Sequence, residues 1–390
     1  MPQLNLKSRG AAIVGVDESD QIGQTPGKTA MQLAAEAARN ALRDAGIEMS
    51  EVDGLFTCGF GAMPALELGE FLGIQPRYFD GTGVGGSSFV IDVEHAMSAI
   101  HAGLIDVALI VHGEHGFSAR TLPGGTGRAG TTPFSTGGQF TLPFGVQTPT
   151  SAYSLAATRH MAMYGTTSEQ LAEIAVATRK WAMMNPKAMM RAPLTIDEVM
   201  SSPYIAYPFH RNDICLVTDA AGAVVVVSPS RAASLKKKPV WVLGTGEHMT
   251  HRDMVAMPDY TVTPAKSSGA QAFGMAGITH DDLDLAMIYD SFTYTVLVTL
   301  ESLGFCKPGE GGDFVANQRT APGGDFPLNT NGGGLSYTHP GMYGIFTLLE
   351  ATRQLRGECG ERQVEGARLA LCNGTGGYLS STGTVILGVD

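Results

Sequence analysis

The chain contains no apolar run approaching the roughly 18 residues of a membrane span, and its opening MPQLNLKSRG lacks the apolar core of a signal peptide. Both absences predict a cytoplasmic protein that does not enter a membrane. Basic residues are in deficit, 26 Lys and Arg against 37 Asp and Glu, for a net charge of −11. That balance argues against non-specific binding to nucleic acid or an anionic membrane, and an anionic ligand would need a local cationic site. Cysteines are few: Cys58, Cys215, Cys306, Cys359 and Cys372, with no C-x-x-C spacing. They predict neither a disulfide framework nor a zinc site, and no metal ligand set is expected; each reads as a reduced, buried thiol. Glycine, by contrast, is abundant. Fifty in 390 residues, nearly twice the ordinary share of about 7%, imply many tight turns and close backbone approaches.

With 44% hydrophobic residues the chain is long enough for one large core or two domains. AAIVGV (11–16) suits a buried strand, and KTAMQLAAEAARNALRDAG (28–46) has apolar residues at helical spacing closed by Gly46. VDGLFTCG follows as a strand, then IDVEHAMSAIHAG as a helix and DVALIVHGE as a strand. Alternation of this kind predicts a mostly parallel sheet covered on both faces.

The pattern then recurs. Residues 41–56 lie on 272–287 at a constant shift of 231, matching Ala41, Ala45, Gly46, Ile47 and Asp53 to Ala272, Ala276, Gly277, Ile278 and Asp284. Further on, YGIFTLLEATRQLRG and ARLALCNGTGG echo the helix and strand of the first half. Two related α/β halves are expected, 1–235 and 236–390. An insertion at roughly 115–210 in the first half carries one helix, TTSEQLAEIAVATRKWAMMN, behind a Ser/Thr cap, and otherwise reads as loop. Its length suits a cover over a functional site.

The turn GTGVGGSSFV (81–90) enters a helix where many enzymes mount a nucleophile, yet offers only Ser87 and Ser88, which suit helix-start caps better than attackers. It lacks the Rossmann fingerprint and the acidic residue downstream, which disfavours dinucleotide binding. Aligning Gly103 with Gly357 brings Gly86 within one residue of His339, in SYTHPGMYG. Two helix-start turns would then face one pocket, where free N–H groups favour developing negative charge. His210 reads as structural.

TDAAGAVVVV, NTNGGGLSYTHPGMYG, QLRGECGERQVEGARLAL and CNGTGG together resemble the thiolase superfamily, in its sterol-carrier-protein branch, over nearly the whole chain. The resemblance implies a five-layered α-β-α-β-α architecture of two pseudo-symmetric halves. In such thiolases the turn at 81–90 carries an acyl-accepting cysteine, and counting back from Gly103 puts Gly86 in its place. A His-Asp-Cys-Phe motif is replaced here by Tyr289-Asp290-Ser291-Phe292, and only His339 has a counterpart. Loss of both thiols makes acyl transfer through a covalent intermediate improbable.

Gly85-Gly86, YDSFT and YTHPGM instead resemble the steroid side-chain aldolases of the lipid-transfer protein type. That likeness implies retro-aldol cleavage of a β-hydroxyacyl-CoA, with Tyr289 and Tyr337 exchanging protons and His339 orienting them or donating to the thioester oxygen. Which tyrosine is the base stays open. It also implies substrate contacts from Gly85, Gly86, Ser87, Asp290, Tyr343, Cys372, Asn373 and Gly374. No cofactor is implied in the chain itself, coenzyme A entering as the substrate thioester. A homodimer and a small OB-fold, zinc-ribbon partner, together a heterotetramer, are implied as well. Pro340 and Tyr343 depart from the steroid aldolase form toward thiolases, which leaves the acyl group open. The alternatives are an acyltransferase using Ser87, Ser88 or Cys372, and a non-catalytic subunit.

Overall fold

The computed structural model describes residues 8–120 and 137–390. The first half runs β1 (Ala12–Glu18), α1 (Ala30–Ala45), β2 (Gly54–Thr57), α2 (Pro64–Leu72), β3 (Tyr78–Asp80), α3 (Ser88–His101) and β4 (Val107–His115). The insertion holds α4 (Gly138–Thr141), α5 (Pro149–Tyr164), α6 (Ser168–Met183), α7 (Ile196–Ser201) and a small hairpin, β5 (Tyr204–Ala206) with β6 (Phe209–His210). β7 (Asp219–Val227) and α8 (Pro229–Ala233) close this half. The second half comprises β8 (Val240–Met249), α9 (Ala265–Ala276), β9 (Leu285–Ile288), α10 (Thr293–Leu303), α11 (Gly311–Val315), α12 (Gly344–Arg356), β10 (Leu369–Gly376) and β11 (Ser381–Gly388).

The expected repeat is visible in the backbone. α1 and α9 both end on a left-handed glycine, Gly46 at φ 70° and Gly277 at φ 68°, and strands starting at Gly54 and Leu285 follow at the same shift of 231. Each helix lies so close to its strand that a Cβ on Gly15 would strike the Ala41 carbonyl and one on Gly244 the Ala272 carbonyl. Only glycine permits that approach.

All nine long strands form one sheet, ordered β3-β2-β4-β7-β1-β8-β11-β10-β9. The halves meet at β1 and β8 through two residue pairs, Ala12 with Trp241 and Ile13 with Val240. Within the first half β1 to β4 run one way and β7 alone opposes them; in the second, β8, β9 and β10 oppose β11. Each half is therefore mostly parallel in direction, as expected, although its one reversed strand sits between two others and makes those pairings antiparallel. β7 and β11 are buried along their whole length, which accounts for the near-continuous apolar run of β7 where alternation would mark a half-exposed strand.

Five layers result. α1 covers the outer face of the first half through Leu33, Ala37 and Ala41 against Val14, Leu109 and Val225. α9 and α10 cover the second with Ala272 and Leu297 against Ala286 and Ile386. Between them α3 and α12 share one core, Phe89 and Val93 packing with Ile345 and Leu349 between Ile110 and Val224 on one side and Met287 and Val385 on the other. Full burial of such a side chain contributes about 1.5–3 kcal/mol.

The insertion is more helical than expected. α6 opens on the predicted cap, Thr167, whose hydroxyl accepts the Gln170 N–H. α5, read from sequence as loop, opens similarly on Thr148 before Pro149. The stretch 121–136 lies outside the described residues.

Candidate active site

α3 and α12 begin side by side, so close that a Cβ on Gly344 would strike the Gly86 carbonyl. The two turns thus converge as the alignment predicted, at one wall of a cavity of about 940 Å³. Gly85 and Gly86 come from the first turn, Tyr289, His339 and Gly341 from the second half, and the insertion covers the space with Tyr153 and Ile205.

Tyr289 follows β9 and stays in register with β10, its N–H donating to the Asn373 carbonyl at 3.0 Å. Its hydroxyl lies 2.8 Å from Nε2 of His339 and 3.3 Å from the Gly341 carbonyl. His339 is held by its own backbone: its N–H donates to the Thr218 hydroxyl at 2.8 Å and its carbonyl accepts the Thr218 N–H. Thr218, just before β7, therefore fixes the His339 backbone from the first half. Tyr343 stacks on His339 at an interplanar angle of 12° and packs against the Tyr289 ring. A phenol and an imidazole in contact at a cavity wall have the geometry that proton exchange requires.

Gly86 has a sharper reason than sequence supplied. A Cβ there would collide with the Tyr289 ring and lie 2.8 Å from the Thr375 carbonyl. Tyrosine thus occupies the room that a side chain at position 86 would need. Gly85 sits at φ 86°, and a Cβ on it would lie 2.8 Å from the Gly377 nitrogen, so the turn rests directly on the late glycine loop.

Other expected site residues lie elsewhere. The Tyr337 hydroxyl donates to Glu18 at 3.1 Å and borders a separate cavity of about 370 Å³ with Lys187 and Arg353. Burial favours neutral Glu18, but Arg353 and Lys187 overcome it and hold the carboxyl well below its usual range. Burial and that carboxylate push the Tyr337 hydroxyl well above a phenol's ordinary value. Tyr337 is thus captured by an ion cluster and kept neutral, outside the main cavity. Asp290 faces away as well, accepting the Gly334 N–H at 2.6 Å and the Leu335 N–H at 3.1 Å, and burial pushes its carboxyl up to about 7. It anchors the turn that carries His339 and makes no cavity wall.

Ser87 is buried and shares a 2.8 Å hydrogen bond with Ser381; it caps nothing, whereas the Ser88 hydroxyl accepts the Val84 N–H. Tyr343 is buried, its hydroxyl donating to Asn331 at 2.9 Å. Cys372 points into the central core, its thiol against the Thr347 carbonyl and pushed upward by burial. The Asn373 amide donates to Thr384 and Gly374 packs beneath Ser87 and Val90. In place of 372–374 the late loop presents Thr375, Gly376 and Gly377. His210, expected to be structural, stacks on Tyr204 beside Asp213.

Sequence reasoning missed Tyr153, whose hydroxyl accepts the Leu379 N–H and donates to the Gly377 carbonyl at the cavity wall. It also missed His251, whose Nε2 faces the Tyr378 carbonyl at 3.0 Å and whose burial lowers its proton affinity. Arg120 and Arg252 line the cavity too, the latter paired with Asp253 at 3.2 Å. None of these sits in a motif, so only the fold brings them together.

Two pseudo-symmetric halves in five layers, with helix-start turns facing one cavity, define the thiolase-like class. The family described as "Thiolase C-terminal domain-like" matches residues 246–389. A 17-hydroxy-3-oxo-4-pregnene-20-carboxyl-CoA lyase of Mycobacterium tuberculosis is 35% identical over 364 residues, 90% of this chain and 93% of that one. A steroid side-chain-cleaving aldolase of Thermomonospora curvata is 34% identical over 394 residues, 97% and 98% of the two chains. A solved structure described as an Ltp2-ChsH2(DUF35) aldolase superposes with a TM-score of 0.88 at 31% identity, over 99% of each chain. The chain belongs to the thiolase superfamily, in the family of the steroid side-chain-cleaving aldolases.

Proposed function

We propose that this protein is a thiolase-fold aldolase that cleaves the Cα–Cβ bond of a β-hydroxyacyl-CoA with a steroid side chain, giving a ketone or aldehyde and a shorter acyl-CoA. The observation that carries this reading is the 2.8 Å contact between the Tyr289 hydroxyl and His339 in a large cavity. Tyr289 takes the proton of the β-hydroxyl and passes its own to Nε2 of His339. The Cα–Cβ bond breaks, its electron pair forms the thioester enolate, and the β-carbon becomes a carbonyl. The imidazolium is then the nearest acid to return a proton to the enolate carbon. No acyl-enzyme forms, which agrees with the absence of a nucleophile at Gly86. A cavity of about 940 Å³ with Val84, Ile205, Met249 and Met342 in its walls suits a bulky apolar group.

Coenzyme A enters as part of the substrate, with no further cofactor assigned to this chain. A partner protein is also part of the reading, since the similar aldolase structure is described as a complex with ChsH2(DUF35). We assign that role to a small OB-fold, zinc-ribbon protein, with the zinc on the partner. Exposed Ile205 and Met249 at the cavity rim, with exposed Tyr204 next in sequence, are apolar surface for it to cover. Homodimerisation across β3 is supported by its place at the sheet edge and by exposed Phe79. A heterotetramer follows. Among the described residues no helix is long and apolar enough to cross a membrane, and we assign the protein to the cytoplasm.

The test is Tyr289→Phe, assayed on a steroid β-hydroxyacyl-CoA with the partner present. Turnover should fall about 10²- to 10⁴-fold, with unchanged circular dichroism and no acyl adduct by intact-mass spectrometry in either protein. Wild-type turnover in Tyr289→Phe would end the reading. The acyltransferase alternative is disfavoured because Ser87 and Cys372 are buried, their side chains engaged by the Ser381 hydroxyl and the Thr347 carbonyl.

A further inference from the structure

We propose that Asp80, Asp92 and His95 form a binding site for one divalent transition-metal ion. Asp80 ends β3, and Asp92 and His95 sit three residues apart on α3, on one face of the helix. One donor atom from each lies within 4.8 Å of the other two. An ion held at about 2.0–2.2 Å from N and O ligands can bridge them after small side-chain rotations.

An independent observation points the same way. Asp92 is 1% exposed, yet neither of its carboxylate oxygens has a hydrogen-bond partner. A buried carboxylate with no donor is costly, and this one is aimed into the cluster. His95 does not relieve it. Its Nε2 faces Glu247 on β8 at 3.3 Å, and its Nδ1 lies 3.3 Å from Asp80 Oδ2 without hydrogen-bond geometry. A carboxylate behind one ring nitrogen with the other turned toward a ligand position is how metal-binding histidines are oriented. The second oxygen of Asp80 is likewise committed, accepting both the N–H and the hydroxyl of Thr82 at 2.7 Å. Asp80 and His95 are thus held from behind, while Asp92 is left with both oxygens free to ligate.

Asp80, Asp92 and Glu247 surround a single imidazole, with Glu94 adjacent and its Oε2 unpartnered, an oxygen-rich surround that a divalent cation would complement. Two carboxylates and an imidazole suit zinc or manganese better than calcium. The Asp80 and His95 side chains are 21% and 23% exposed, which leaves an entry path. Cysteine spacing gave no hint because the site has no cysteine. The ligands bracket the glycine turn 81–87, so the ion would tie together both ends of the segment that forms the cavity wall beside Tyr289.

The full chain, untagged and stripped with EDTA, is titrated calorimetrically with Zn²⁺ and with Mn²⁺. One ion per chain should bind, and Asp92→Asn and His95→Gln should each weaken binding about tenfold or more with far-ultraviolet circular dichroism unchanged. If Asp92→Asn does not fold, the more exposed His95→Gln decides. Absence of binding by both ions, or affinity unmoved by the substitutions, overturns the proposal.

Discussion

A phenol with an ordinary pKa near 10 is a poor base at neutral pH, so the base role proposed for Tyr289 depends on what surrounds its oxygen. His339 at 2.8 Å and the Gly341 carbonyl at 3.3 Å give that oxygen one partner able to accept a proton and one that orients it. Asp290, the next residue, acts through the backbone by holding the Gly334 and Leu335 N–H groups. Burial raises its carboxyl to about 7 in the folded chain, against about 4 when unfolded. The folded state therefore binds the extra proton. The stabilisation is fully present below about pH 4 and is lost as pH rises through about 7. Urea titrations at pH 5 and pH 8 should show wild type losing stability relative to Asp290→Asn, by up to about 2.5 kcal/mol. A difference that does not move with pH would contradict the assignment. At this scale the sequence was partly readable. Tyr289 and His339 stood in motifs and meet in space, whereas Tyr337, in the same motif as His339, is taken by Glu18 from a strand 319 residues away. No spacing rule conveys such a partner.

Among the elements, those with strong local signals were legible. α1, with its apolar stripe and left-handed glycine, and α12 appear where periodicity predicted them, and the shift of 231 relates real helix ends and strand starts. α5 was not, because YSLAATRHMAMY alternates small, polar and apolar residues too evenly to show a face. The long connections are held by single buried groups. Asp219, first residue of β7, accepts the N–H groups of Thr25, Phe117 and Ser118 and the hydroxyls of Thr25 and Ser118. It joins the segment after β1 to the one that enters the insertion. Asp219→Ala strands these donors and should cost about 3 kcal/mol or more in urea unfolding. A loss below about 1 kcal/mol would mean that water serves them equally well.

On the scale of the molecule, the two halves are alike in topology but not self-sufficient. α3 and α12 share one core, and charges cross the seam: Arg353 of α12 contacts Asp17 and Glu18 at 2.6 Å, and Arg356 meets Asp44 at 2.8 Å. Residues 236–390 expressed alone should therefore fail to form a compact state, binding a hydrophobic dye and lacking near-ultraviolet dichroism. A cooperative, dye-free unfolding transition of that fragment would show that the second half closes its own core. The division of labour across the seam also bears on history. Gly86 belongs to one half and Tyr289 to the other, and the ring of the second fills the volume that a side chain on the first would require. A cysteine side chain at 86 and a tyrosine at 289 therefore exclude each other in this packing. Installing the tyrosine first meets an occupied position, and restoring the cysteine alone meets the ring. A sequence path from cysteine at 86 to tyrosine at 289 would have to pass through glycine at 86 first, an order imposed by steric exclusion between the two halves.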